Sequence, residues 1–538
     1  MNTRSTESKQ ISWVFKLKNI VGVKAYTPFQ LGVFLAGFCF LSDSIAGPSG
    51  EEVVGGAAII TRPTLADTLI TETGEFVPGS TLIIDWESFN VGAGEQVTFD
   101  QLSSDSFALN RVTDGNLSTI AGRITSNGNI FLINPAGLLF AEGSIINVGG
   151  IIASGIQLDS MSFDDLEHTF GFRDGVIQGS VINRGGITAE GDGASFVGLI
   201  GSAVRNTGSI TANVVSLNAG SDLFVTIDAG GFFGVEVMQG ISSLPDDFAA
   251  AVENSAGASI VADSVNLSTL VIDDAFTQAV NNSGTIQATG IVTDGNSIRL
   301  VGTGGGVVNN GSLILGDAST TEGTAFSVGI VGDEVVLGES SNIAISNSVA
   351  VQRTVDINID AVSDINVLSG GVLQSNGGTI EINTNNLNNA STIDSRTSGV
   401  DGGDINISVG LGNAGSTNTL GSLVSGDGAI SVTGGNGDDS FQLGTLAIGE
   451  SILVDGGLGV DSITGSDGAD NFRLGTIVTT GDDVVINAIE FVSGGEGLDS
   501  LIGSVENDTF TLGSAALTAD DLVISDIEFV SGGEGLDN

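Results

Sequence analysis

A short phrase recurs along the chain: Asn, one or two small residues, Gly, then Ile or Val in alternation. It reads NVGGIIAS from Asn147, NRGGITAE from Asn183, NTGSITAN from Asn206, NSAGASIVA from Asn254, NSGTIQAT from Asn282 and NGSLILGD from Asn310. Asn and Gly tolerate left-handed backbone at a turn. The alternating Ile and Val then point to one face of a short strand. Successive phrases lie 23 to 48 residues apart, which is expected if some intervening coils lack the phrase.

A single coil of about 20 residues cannot bury its own apolar face, whereas stacked coils can, each backbone pairing with its neighbours above and below. The sequence therefore predicts an all-β solenoid, a parallel β-helix. Asn at a repeated turn can stack as a ladder along the column. At about 4.8 Å per layer the rod is on the order of 100 Å long. A β-sandwich array is the alternative, but its aromatic anchors are scarce: Trp13 and Tyr26 lie near the front, leaving Trp86.

Charge is lopsided. All four lysines (Lys9, Lys16, Lys18, Lys24), Arg4 and the single cysteine, Cys39, fall in the first 39 residues. The basic stretch precedes the apolar run Leu31 to Leu41, too short for a bilayer span of about 20 residues. Small residues follow at Ser44-Ile45-Ala46, as in a secretory signal peptide with an extended basic region. Cleavage after Ala46 leaves 10 bases against 62 acids, net −52, with no Lys and no Cys. Disulfides are then excluded. So is nucleic-acid binding, since no phosphate-neutralising face exists. Such a chain repels itself unless cations screen it.

Residues 81–155 carry the most specific signal: Trp86 with Ser88-Phe89-Asn90, Gly92-Ala93-Gly94-Glu95, Leu109-Asn110-Arg111-Val112, Gly122 with Ile124, Asn127-Gly128, Asn134-Pro135 and Asn147-Val148-Gly149-Gly150. In this order they resemble the two-partner secretion domain of filamentous-haemagglutinin-like exoproteins. The resemblance runs from about residue 50 to about 300. It implies a right-handed parallel β-helix of the pectin lyase-like kind, the general secretory route to the periplasm, and a dedicated outer-membrane β-barrel transporter as partner. It also implies folding outside the cell. Trp86, Asn90, Asn110, Arg111, Asn134, Pro135, Gly137 and Asn147 become the residues expected to serve transporter recognition. The family usually has Asn-Pro-Asn-Gly where this chain has Asn134-Pro135-Ala136-Gly137. The turn survives, but any role of the missing amide in recognition is placed in doubt. Ordinary β-helix turn structure is the parallel reading of these residues.

A second repeat occupies the tail. GGNGDDSFQ (434–442), GGLGVDSIT (456–464), GSDGADNFR (465–473), GGEGLDSLI (494–502) and GSVENDTFT (503–511) follow a nonapeptide pattern, and GGEGLDN (532–538) opens another. Two nonapeptides and a 20-residue spacer give a period of 38. The pattern resembles the RTX calcium-binding repeat, which forms a β-roll. Gly lets carbonyls turn toward an ion, and Asp supplies a hard anionic oxygen. Asp439, Asp461, Asp470, Asp499, Asp508 and Asp537 are the calcium-ligand candidates. Ser466, Ser504 and Glu506 depart from the pattern, and no run exceeds two units. The alternative is a Gly/Asp turn in an ordinary coil. A stack should end in a polar cap, so a chain opening a repeat at its end is expected to be a fragment.

The expected organisation is a leader (1–46), a secretion β-helix (47–300), continued β-helix (301–430) and a β-roll-like nonapeptide region (431–538). Catalysis has little support: His168 is the single histidine, and no nucleophile elbow, zinc signature or phosphate loop occurs. The expected product is a secreted or cell-surface bacterial adhesin that binds a host or environmental surface, glycan among its chemistries. A secreted polysaccharide lyase or hydrolase is the alternative from another class. A truncated haemolysin or toxin exoprotein is the third.

Overall fold

The computed structural model describes residues 47–75, 81–163, 167–173, 178–191, 195–228, 233–272, 275–289, 296–317, 325–346, 354–397, 402–412, 414–444, 451–476, 483–512, 522–533 and 537. The expected leader, with Leu31 to Leu41 and Cys39, lies outside the described residues.

Those residues hold 53 strands and no helix. The strands make three long sheets of 19, 16 and 14 members, and a separate sheet of four. A typical coil gives one strand to each long sheet. Asn296–Thr303, Gly306–Asn309 and Ser312–Leu315 form one coil, and Phe326–Gly332, Val335–Leu337 and Asn342–Ile345 lie parallel to them in the next. Along Asn296–Thr303, Ile298 and Leu300 are buried while Arg299 is exposed. Period-two alternation thus becomes an inward and an outward face. One apolar core runs inside the stack from Ile70 to Ile524. Each fully buried Ile, Leu or Val contributes about 1.5–3 kcal/mol before chain entropy is counted.

The first coil is covered differently. Glu52–Gly55 pairs antiparallel with Thr81–Trp86, and Ala58–Thr64 pairs antiparallel with Asp67–Glu72. This hairpin occupies an edge that would otherwise template further pairing.

The irregular phrase spacing has another cause than expected. Ile145–Val148, Gly186–Ala189, Ser209–Thr211, Ser259–Ala262, Thr285–Ala288 and Ser312–Leu315 are successive neighbours in the third sheet, so no unsigned coil intervenes. The extra length leaves the helix instead. Leu158–Phe163 and Glu167–Arg173 lie between Asn147 and Asn183, and Asp222–Asp228 and Phe233–Gln239 lie between Asn206 and Asn254. Together they form the four-stranded antiparallel sheet. It covers the outer face of the first sheet over a second core that includes Phe107, Phe131, Ile152, Phe170, Phe196 and Phe233. The Phe131 and Phe170 rings meet edge to face at 4.5 Å, and Phe196 stacks on Phe233 at 4.9 Å. Asn129–Ile133, Gly150–Ser154 and Phe196–Gly201 are consequently buried on both faces.

The asparagine ladder is present, with its register corrected. Asn183 donates to Asn206 (2.8 Å), Asn206 to Asn254 (2.9 Å), Asn254 to Asn282 (2.8 Å) and Asn282 to Asn309 (2.7 Å), all fully buried. Asn309 closes the run on Ser341 Oγ at 2.8 Å. The fifth rung is therefore Asn309, not Asn310. Asn147 stands apart from the column: it sits in the third sheet on the outward, exposed face.

Candidate functional site

Two regions carry the sequence candidates. The first surrounds Trp86, the last residue of Thr81–Trp86. Period two turns its indole inward, fully buried, where it meets Phe89 edge to face at 5.4 Å. Its Nε1–H donates to Asn110 Oδ1 at 2.9 Å, one coil further on. Asn110 Nδ2 donates to the carbonyls of Ala108 (3.0 Å) and Phe131 (3.3 Å). A buried amide thus joins three coils, and none of its polar atoms is left without a partner.

The neighbouring candidates do similar work at corners. Asn90 Oδ1 accepts from Thr119 N at 2.8 Å. Glu95 Oε2 accepts from Gly92 N at 2.7 Å. Arg111, half exposed, grips Asp85 with Nε at 2.6 Å and Nη2 at 2.9 Å. Asn134 Oδ1 accepts from Ala136 N (2.9 Å), and its Nδ2 donates to Asn116 O (2.7 Å) and Ser118 Oγ (2.9 Å). Gly137 closes that turn with φ of 104°, which favours glycine. Pro135, beside it, is half-buried. The fold uses Asn134 to hold the turn and needs no side-chain amide at Ala136. Trp86, Asn110 and Asn134 are buried, whereas Asn147 and the edge of Arg111 reach the surface.

The second region is the nonapeptide tail. Its six aspartates stand at turn corners, in columns that run coil to coil. Asp439 N donates to Asp461 Oδ1 (2.7 Å), and Asp461 N donates to Glu490 Oε2 (2.7 Å). Asp470 N donates to Asp499 Oδ1 (2.8 Å), and Asp499 N to Glu528 Oε2 (2.7 Å). Asp508 N donates to Asp537 Oδ1 at 3.0 Å. Several carboxylates also bind their own turn: Asp439 takes Gly435 N, Asp470 takes Ser466 N and Asp508 takes Ser504 N, at 2.7 to 2.8 Å. Ser466 and Ser504, departures from the repeat, add their hydroxyls to these bonds.

Sequence reasoning missed Glu490 and Glu528 in these columns. The matching spacers, each ending in Ile-Glu-Phe-Val-Ser, held the signal. Asp461 and Asp499 are fully buried, and Oδ2 of each has no hydrogen-bond partner among the described residues. Burial pushes the Asp461 carboxyl up to about 7, opposed by the Asp439 N–H and reinforced by the Glu490, Asp439 and Asp438 carboxylates. Burial raises Asp470 as well. Among the described residues no three His, Cys, Asp or Glu side chains converge as a metal-holding group. No helix among them is long and apolar enough to cross a membrane.

Residues 50–315 match the family model of the TPS secretion domain. Two curated heme/hemopexin-binding proteins of Haemophilus influenzae are similar. One, from strain Rd, is 36% identical over 171 residues, 31% of this chain and 18% of its own length. The other is 34% identical over 123 residues, 23% of this chain and 13% of its own length. The matched part of this chain thus spans less than a fifth of either relative. Among solved structures, the HMW1 secretion domain from Haemophilus influenzae aligns with a TM-score of 0.49 at 22% identity, over 72% of this chain and 95% of that one. The filamentous hemagglutinin secretion domain aligns with a TM-score of 0.36 at 15% identity, over 63% and 99%. The matched family is a secretion domain and not an enzyme family. Residues 50–315 are therefore a TPS secretion domain, and the protein is an exoprotein of two-partner secretion, secreted across the outer membrane to the cell surface or the surroundings.

Proposed function

We propose that this exoprotein is a non-catalytic adhesin: an acidic β-helical shaft that carries its own export signal and presents its sides to a host or environmental surface. The observation that carries the reading is continuity. The stack that begins in the secretion domain runs on through Phe529–Ser531, and among the described residues one apolar core fills it from Ile70 to Ile524, with the smaller core of the four-stranded sheet beside it rather than a separate enzyme domain. The partner for export is a dedicated outer-membrane β-barrel transporter. Trp86, Asn110 and Asn134 are buried once folded, so a transporter would read them in the extended chain before folding, and Asn147 or Arg111 in either state. Co-expression with the candidate transporter tests the route. Deletion of residues 50–315 should leave the product in the periplasm, and unimpeded release of that deletion would refute it. Adhesion is tested separately, by binding of the secreted protein to cells and by assay for sugar release. Sugar cleavage would favour the lyase or hydrolase alternative.

The nonapeptide tail is the finer part of the proposal, a calcium-responsive region of RTX type. What supports it is the pair of buried, donor-less oxygens, Asp461 Oδ2 and Asp499 Oδ2, inside columns of carboxylates. A hard divalent cation satisfies such oxygens. Calorimetric titration with calcium chloride, against magnesium, tests it on the whole secreted protein. Heat release lost in Asp461→Asn and Asp499→Asn together is expected. Absence of calcium heat in the parent protein would count against it.

A further inference from the structure

A cleft of about 710 Å³ opens where the four-stranded sheet is rooted in the helix. Gln178 lies where the chain rejoins the stack after the first hairpin. Ser221 and Gln239 bracket the second hairpin, and Ser242 and Ser243 follow it. These corners are brought together because both excursions leave and re-enter at the turn between the first and second long sheets.

The lining is unusual for this chain. With 64 acids and a net charge of −49, the described residues around the cleft include no charged side chain. Ser221 Oγ is used internally, donating to Gly240 O at 2.9 Å. Gln178, half-buried, and Gln239, Ser242 and Ser243, exposed, also line it, and their side-chain amides and hydroxyls are free of hydrogen bonds to other described residues. Leu244, Pro245 and Ile272 supply an aliphatic wall.

The wall is held in place. Arg205 donates to the carboxylate of Glu253 and to the carbonyl of Asp247, and its guanidinium lies 4.0 Å over the Phe248 ring. Glu253 Oε1 in turn accepts from Ala249 N (2.6 Å) and Ala250 N (2.9 Å). The segment after Pro245 is therefore fixed before any ligand arrives, which lowers the entropy cost of binding.

We propose that this cleft binds a neutral oligosaccharide. Its volume falls in the range of ligand pockets, and its lining sets accessible amides and hydroxyls beside an apolar side. Amides and hydroxyls pair with sugar hydroxyls as donor and acceptor alike, and the aliphatic wall accepts the C–H face of a pyranose. An acidic polysaccharide would be repelled by the surrounding charge, and a cationic ligand would find no carboxylate in the lining. The proposal deepens the adhesin reading by naming the ligand class, and the cleft can fail while adhesion through another surface stands.

The test is calorimetric titration of the whole secreted protein with tetrasaccharides derived from mannan, galactan and cellulose, and with a chondroitin sulfate tetrasaccharide. At least one neutral probe should bind and the sulfated probe should not. The double variant Gln178→Ala/Gln239→Ala should lose about tenfold in affinity, two hydrogen bonds' worth. Ser243→Trp, which fills the cleft from an exposed position, should abolish binding. Both variants should melt with the parent protein. Failure of all three neutral probes to bind overturns the proposal, as does binding undiminished in both variants or tighter binding of the sulfated probe. Cell adhesion measured in parallel on Ser243→Trp separates the two readings: retained adhesion with lost sugar binding sinks only the cleft's role in it.

Discussion

Trp86 and Asn110, in adjacent coils, are joined by a buried hydrogen bond of 2.9 Å from indole Nε1 to amide Oδ1. The bond ties the coil beneath the N-terminal hairpin to the coil above it, and Asn110 passes the connection on to Phe131 O. It places one of the family-like motif residues in the mechanics of the stack.

Removing the acceptor should therefore be costly. Asn110→Ala strands a buried indole N–H and should destabilise the secretion domain by about 2–3 kcal/mol. In a form of the protein lacking residues 1–46, Trp86 is the single tryptophan, so its fluorescence in urea reports this region alone. An unchanged midpoint would contradict the structural role.

The asparagine ladder predicts a position effect. Asn254 is both acceptor from Asn206 and donor to Asn282. Asn254→Ala should cost about 2 kcal/mol or more, because both neighbours lose a buried partner. Asn309→Ala leaves a hydroxyl, Ser341, on one side and should cost less. Hydrogen exchange across the two turns distinguishes them.

Phe170 anchors the four-stranded sheet against Phe131. Phe170→Ala should destabilise that sheet by about 3–5 kcal/mol and speed proteolysis within its two hairpins, residues 158–173 and 222–239. The β-helix, whose core is separate, should keep its circular dichroism. Global unfolding at the same temperature as the sheet would show that the two cores are one cooperative unit.

The carboxylate columns predict a pH response. The folded pKa of Asp461 is raised to about 7, above an unfolded value of about 3.9. The folded state then binds more protons, so the contribution of this group is full below pH 4 and is lost as pH rises through 7. The tail should melt earlier at pH 8 than at pH 5, and Asp461→Asn should flatten that dependence. These melts belong in chelator, so that bound cations do not mask protons. A tail more stable at pH 8 in the parent protein would reverse the sign.

Much of the stack was legible because its rule is local. Ile298, Leu300 and Val328 alternate with polar residues, and that spacing alone sends them inward. The Asn-Gly corners were legible for the same reason, though at Asn309-Asn310-Gly311 the local pattern offers two asparagines and only the stacking selects Asn309 as the rung. The motif around Trp86 pointed to export, but its sequence did not show that Trp86, Asn110 and Asn134 are buried while Asn147 is exposed.

By itself the sequence determined a secreted stack of short strands whose lysines and single cysteine all lie in the first 39 residues, since periodicity and charge are properties of the chain. Tertiary structure decided where long spacings go: out of the helix, as two hairpins that pair with each other across about 50 residues of sequence, Arg173 opposite Asp222. It also decided that nonapeptide aspartates line up with Glu490 and Glu528, and that Gln178, Gln239 and Ser243 share one cleft. Such neighbours are set by how coils settle on one another, and no local pattern of residues encodes that packing.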